Sequence, residues 1–77
     1  METPFDIKAT VGLTEYNLSV YPHWDAEKQD SYFTIGLDGV DVGVVHRTDN
    51  DMWEWDEGGF GQVEADEIGA KIDSHYD

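Results

Sequence analysis

Two residues near the middle of the chain, Asp38 and Gly39, do most to limit what it can fold into. Asp-Gly is a preferred pair for the two-residue type I′ turn of a β-hairpin, in which both central residues take positive φ. Apolar residues alternate with others on either side of this pair. With Leu37 opposite Val40, the turn sets the register, so Ile35 falls opposite Val42 and Phe33 opposite Val44. All six share one face. The other face carries Tyr32 opposite Val45, Thr34 opposite Gly43 and Gly36 opposite Asp41. A slip of one residue would destroy this agreement, so turn chemistry and face pattern predict the same hairpin.

The segments around it follow the same logic. Phe5, Ile7, Ala9 and Val11 alternate with Asp6, Lys8 and Thr10, the period of a strand with one face buried. The chain can turn between Gly12 and Glu15. Tyr16, Leu18 and Val20 then form a second strand that ends near Pro22. Pro22 to Asp30 reads as a polar loop anchored by Trp24. Thr48 to Asp51 is a polar turn. Met52 to Trp55 is a short strand with Trp53 and Trp55 on one face and Glu54 and Asp56 on the other. Gly58, Gly59 and Gly61 interrupt regular structure around Phe60. From about Val63 to about His75, Ala65, Ile68 and Ile72 recur at helical spacing, and Tyr76 continues the stripe. Glu64, Asp66 and Glu67 crowd the first turn, where they favour the positive end of the helix dipole. Gly69 beside the stripe points to a close approach of helix to sheet, since Gly otherwise weakens a helix. The expectation is one α+β domain over residues 1–77: an antiparallel sheet of four to five strands with one C-terminal helix on one face.

The length leaves no room for a second domain. Cysteine is absent, so disulfides and thiolate zinc sites are excluded, and packing must supply the stability. Three Trp, four Tyr and three Phe provide large areas for that packing. A cysteine-free small domain fits a reducing cytoplasm. Met1-Glu2-Thr3-Pro4 shows no basic signal-peptide region, and no apolar run reaches transmembrane length.

Charge is the unusual feature. Eighteen Asp and Glu stand against Lys8, Lys28, Arg47 and Lys71, a net charge of −14. Residues 38–77 hold twelve of those acids, and from Asp49 to Glu67 there are eight acids with no Lys or Arg. Such a surface repels DNA, RNA and anionic lipid and attracts basic proteins and cations. Direct nucleic-acid binding and membrane binding are therefore not expected.

Specific chemistry finds little support. Asp49-Asn50-Asp51-Met52-Trp53-Glu54 begins like a calcium loop. It fails where Trp53 replaces the third ligand and Glu54 the turn glycine. His23, His46 and His75 lack zinc-ligand spacing. In the hairpin register His46 shares a face with Val44, which suggests an edge-of-core position. Gly58-Gly59-Phe60-Gly61 is ringed by acids that would repel phosphate. A catalytic carboxylate pair needs a pocket that separates two pKa values, and a chain of this size has little room for one. No cofactor motif and no metal site is expected, and an enzyme ranks below a binding protein.

Two readings of the charge compete. In the first, the chain is a non-enzymatic module that docks on a basic protein surface. A sharper form is nucleic-acid mimicry: carboxylates on one strand face repeat at about 6.6 Å, close to two steps of roughly 3.4 Å along a DNA strand. In size and charge the chain is similar to small acidic inhibitors of nucleic-acid-binding defence enzymes. The expected binding face is Asp49, Asp51, Glu54, Asp56 and Glu57 with Glu64, Asp66 and Glu67, surrounding Trp53 and Trp55 as aromatic anchors. In the second reading the acidity reflects a high-salt environment. Asp outnumbers Glu eleven to seven and Lys occurs three times, and salt would screen the self-repulsion.

Overall fold

The computed structural model describes residues 3–76; Met1, Glu2 and Asp77 lie outside it. Five strands precede one helix: β1 (Phe5–Val11), β2 (Thr14–Asp25), β3 (Asp30–Leu37), β4 (Val40–Arg47), β5 (Trp53–Gly58) and α1 (Gln62–Tyr76). Every strand pairs antiparallel with the next, so the sheet order β1-β2-β3-β4-β5 follows the sequence. The two-layer architecture is the one expected from the alternation and the helical stripe.

The Asp38-Gly39 turn has φ of 53° and 82°, as a type I′ turn requires. Leu37 pairs with Val40 and Gly36 with Asp41. Beyond that the expected register fails. A bulge lies between Ile35 and Gly36, so Ile35 pairs with Gly43 and Phe33 with Val45, not with Val42 and Val44. Val42 is the extra residue, half-buried at the core margin. Val45 is fully buried, while Val44 and His46 turn to the opposite, uncovered face. The cause lies on the neighbouring strand. The indole of Trp55 lies against Gly43 and Gly59, and a Cβ on Gly43 would sit 2.7 Å from Trp55 Cζ3. Only a glycine fits beneath that ring, and the bulge is what turns Gly43 inward to meet it.

The segment after Val20 also differs from expectation. The chain does not loop at Pro22; β2 runs on to Asp25, and β3 returns from Asp30. Val20, Pro22 and Trp24 continue one face, Tyr21 and His23 the other. Asp25 Oδ1 accepts the N–H groups of Glu27 (3.0 Å) and Lys28 (3.2 Å), and Gln29 closes the turn at φ 52°. Proline is tolerated because β1 begins opposite Val20, so among the described residues no strand pairs with β2 on that edge further along.

The core lies between α1 and the inner sheet face. Ile7, Ala9, Leu18, Val20, Ile35 and Val45 from the strands meet Ala65, Ile68 and Ile72, with Phe33 and Trp53 at one end. Gly69 lies directly under the Trp53 indole, where a methyl group would overlap the ring. The helix begins at a cap: Glu64 Oε1 accepts the Gly61 N–H at 3.0 Å, and Gly61 C=O accepts from Ala65. The helix approaches β1 and β5, the two edge strands, so the sheet wraps around it. Its side chains reach both edges. Glu67 Oε2 accepts the backbone N–H of Thr10 on β1, and Gln62 Nε2 donates to the carbonyl of Trp53 on β5. Such bonds occupy groups that an open sheet edge would otherwise offer to another chain.

Candidate functional site

The acids expected to form a binding face are distributed over three places. Asp49 and Asp51 lie exposed in the β4–β5 turn, where Asp51 takes φ 61°. Glu54, Asp56 and Glu57 lie exposed on β5. Glu64, Asp66 and Glu67 lie on α1, and each already has an internal partner: the Gly61 N–H, the Gln62 side-chain amide at 3.0 Å and the Thr10 N–H.

A second bulge decides how the β5 acids are arranged. Val45 pairs with Trp55 but Val44 pairs with Glu57, leaving Asp56 as the extra residue. In a regular strand Glu57 would face the helix side with Trp55. Past the bulge it shares the uncovered face with Glu54. Asp56 also turns there, and its Oδ1 lies 2.8 Å from Nδ1 of His46. That approach is off the angle of a hydrogen bond, and the buried Nδ1 has no other partner. Three acids thus gather on the uncovered side of one edge strand. Among the described residues, the only Lys or Arg within 4.0 Å of a carboxylate is Arg47, which donates to Asp73 on the helix.

The two tryptophans of β5 are not brought together with these acids. Trp53 is 5% exposed and belongs to the core. Trp55 is half-buried, its Nε1 donating to Gly61 C=O at 3.0 Å and its ring edge-on to Phe60. Both face the helix side, opposite Glu54 and Glu57. The exposed indole is Trp24, at 63%.

Trp24 opens onto a feature that sequence reasoning missed. Because the β2–β3 hairpin extends past the start of β1 and the end of α1, part of its inner face is left uncovered by the described residues. A groove of about 1090 Å³ results. Phe33, Trp53 and Ile72 form its floor; Trp24 and Tyr76, the latter 48% exposed, stand on its sides. Arg47, held by Asp73 and lying 5.5 Å from the Trp53 ring centroid, closes one wall. The sequence did carry a trace of this, since Val20, Pro22 and Trp24 keep the period of two through the segment read as a loop.

The histidines do not converge. His23 stacks on Tyr32 at 4.8 Å and contacts Thr34 Oγ1 at 3.0 Å on the uncovered sheet face. His46 follows across the same row, whereas His75 stacks on Phe5 at 3.6 Å beside the helix end. Among the described residues no group of three His, Asp or Glu is placed to hold a metal ion, and no helix is long and apolar enough to cross a membrane. No known protein family, curated protein or solved structure matches the chain.

Proposed function

We propose that this chain is a non-enzymatic binding module whose acidic β5 face docks on a basic protein surface, that of a nucleic-acid-binding protein. One observation carries the reading: the β5 bulge gathers Glu54, Asp56 and Glu57 on the uncovered side of an edge strand, beyond reach of any Lys or Arg. Asp49 and Asp51 extend the same charge around the β4–β5 turn. A strand fixes the backbone from which the carboxylates project, so binding orders the side chains alone, which lowers the cost of presenting a row of charges as phosphate mimicry demands. Charge of this density supplies steering and on-rate. The core tryptophans play no part in this face; the acids alone constitute it. A cysteine-free domain fits a reducing cytoplasm, where nucleic-acid-binding partners occur.

The test is charge reversal at Glu54, Asp56 and Glu57 to Lys. Affinity capture from the source cells, at moderate and at high salt, reads the outcome. The wild type retains a basic protein at moderate salt and releases it at high salt, and the folded triple variant retains none. Capture unchanged by the reversal overturns the site. A second reading, adaptation to high salt, has its own support. Exposed acids also occur on β1, on β2 and in the β3–β4 turn, at Asp6, Glu15 and Asp38. It requires that the chain unfold at ordinary ionic strength.

A further inference from the structure

The groove between the β2–β3 hairpin and the helix end has no counterpart in the acidic-face reading, and its chemistry is different. Burying an aromatic side chain removes a large apolar area from water. Here Trp24 and Tyr76 both leave such area exposed along one concavity, over the apolar floor of Phe33, Trp53 and Ile72. Arg47 is already neutralised by Asp73.

The end of the sheet nearest the groove is acidic, and Asp30 is the turn acid that lines the groove itself. Strand pairing brings the β2–β3 turn and the β4–β5 turn to the same end of the sheet. Asp25, Glu27 and Asp30 belong to the first, Asp49 and Asp51 to the second. The only base on either turn is Lys28. An occupant must therefore combine apolar bulk with positive charge. A second copy of this chain fails that condition, since each copy carries −14 and would bring the same acids to the contact.

The backbone beside the groove adds a third constraint. β1 begins opposite Val20, so among the described residues no strand pairs with β2 from Pro22 to Asp25 on that edge. An extended segment can use such an edge, with alternate side chains directed into the groove. The edge from Pro22 to Asp25 is four residues long, about 13 Å at roughly 3.3 Å each.

The geometry points to a peptide-binding site: the groove takes an extended basic peptide, with an apolar or proline residue seated between Trp24 and Tyr76 and its Lys or Arg neighbours facing Asp30 and the turn acids. Aromatic walls suit both proline rings and cationic side chains.

The test pans a display library of random octapeptides against the full chain, followed by titration of the enriched peptides as synthetic ligands. Enriched sequences place Lys or Arg within two positions of proline, leucine or an aromatic residue. Their affinity falls about tenfold or more in Trp24→Ala, and likewise in Tyr76→Ala, as for aromatic anchors generally. Trp24→Phe retains most of it. Peptide addition shifts the NMR signals of the Trp24 indole and Ile72 methyl groups, leaving those of Glu54 and Glu57 unmoved. Thermal melts confirm that the variants stay folded, which matters most for Tyr76→Ala because the Tyr76 ring also packs against Phe5 and Phe33, whereas Trp24 is mostly exposed. Four results overturn the site: no enrichment, enrichment of acidic or uncharged sequences, binding indifferent to both alanine variants, and signal shifts confined to β5. Self-association that moves the Trp24 signal without peptide also overturns it, in favour of a second copy. The triple reversal on β5 stays in the experiment as a separate arm. Peptide binding that survives it while basic-protein capture is lost separates the two surfaces.

Discussion

Gly69 shows how a single residue can be chosen against its own preference. An alanine in its place would favour the helix by roughly 1 kcal/mol. The Trp53 ring occupies the space that its methyl group would need, and both residues are buried. Moving a core indole strains its neighbours, and overpacking of this kind typically costs about 1–3 kcal/mol. A Cβ at this position would lie 2.1 Å from two carbons of the Trp53 ring, which puts the steric cost at the upper end of that range, so Gly69→Ala lowers stability by about 2 kcal/mol net in urea unfolding. An increase would mean that the helix lifts off the sheet freely. The same contact explains why Trp53 is legible as a core residue only in three dimensions. The sequence shows an aromatic among acids, which reads equally well as an interface anchor, and its partner glycine lies sixteen positions away.

At the scale of elements, what the sequence discloses is what adjacent residues decide. The type I′ turn follows from Asp38 and Gly39, and the helix from its stripe and its acidic start. The two bulges escape such reasoning, because each depends on a neighbour across a strand. Gly43 turns inward to accept the ring of Trp55, and Asp56 is displaced on the strand beside it. A consequence can be measured. Val45 is fully buried and Val44 is half-buried on the other face. Val45→Ala removes two buried methyl groups' worth of transfer energy and leaves a cavity, a loss of about 2–3 kcal/mol. Val44→Ala costs about 1 kcal/mol or less. Paired denaturation curves in which Val44 proves the costlier would restore the unbulged register. The groove was hidden for a related reason. It arises from where β1 starts and α1 stops relative to a hairpin longer than the pattern suggested, and Asp25 makes that hairpin turn without the glycine that usually marks one.

For the whole molecule, the charge of −14 on a domain with a radius of gyration of 11.7 Å sets the electrostatic background for every other interaction. Self-repulsion in the compact state falls as salt is added, and the screening length shortens from about 30 Å at 0.01 M to about 8 Å at 0.15 M. The melting temperature should rise across that interval by several degrees, on the order of 5 °C for a gain near 1 kcal/mol. Thermal melts in a monovalent salt series measure it. A flat response would place the acids too far apart to repel one another. A rise that continues into molar salt, from an unfolded state at physiological ionic strength, would favour adaptation to a saline environment over partner binding.

The helix that follows β5 also lies against β1, where His75 stacks on Phe5. Each element therefore touches the next in sequence, and the last touches the first. Topologically this is a ring, and the point at which the chain opens it is only one of several available. Linking the ends through a short tether and cutting instead at the exposed Leu13, in the β1–β2 turn, would preserve every neighbour relation in the fold. A circular permutant of that kind would leave the Trp24–Tyr76 groove assembled from the same strands and helix in the same order, with Pro4 alone among its lining residues carried to the other end of the chain.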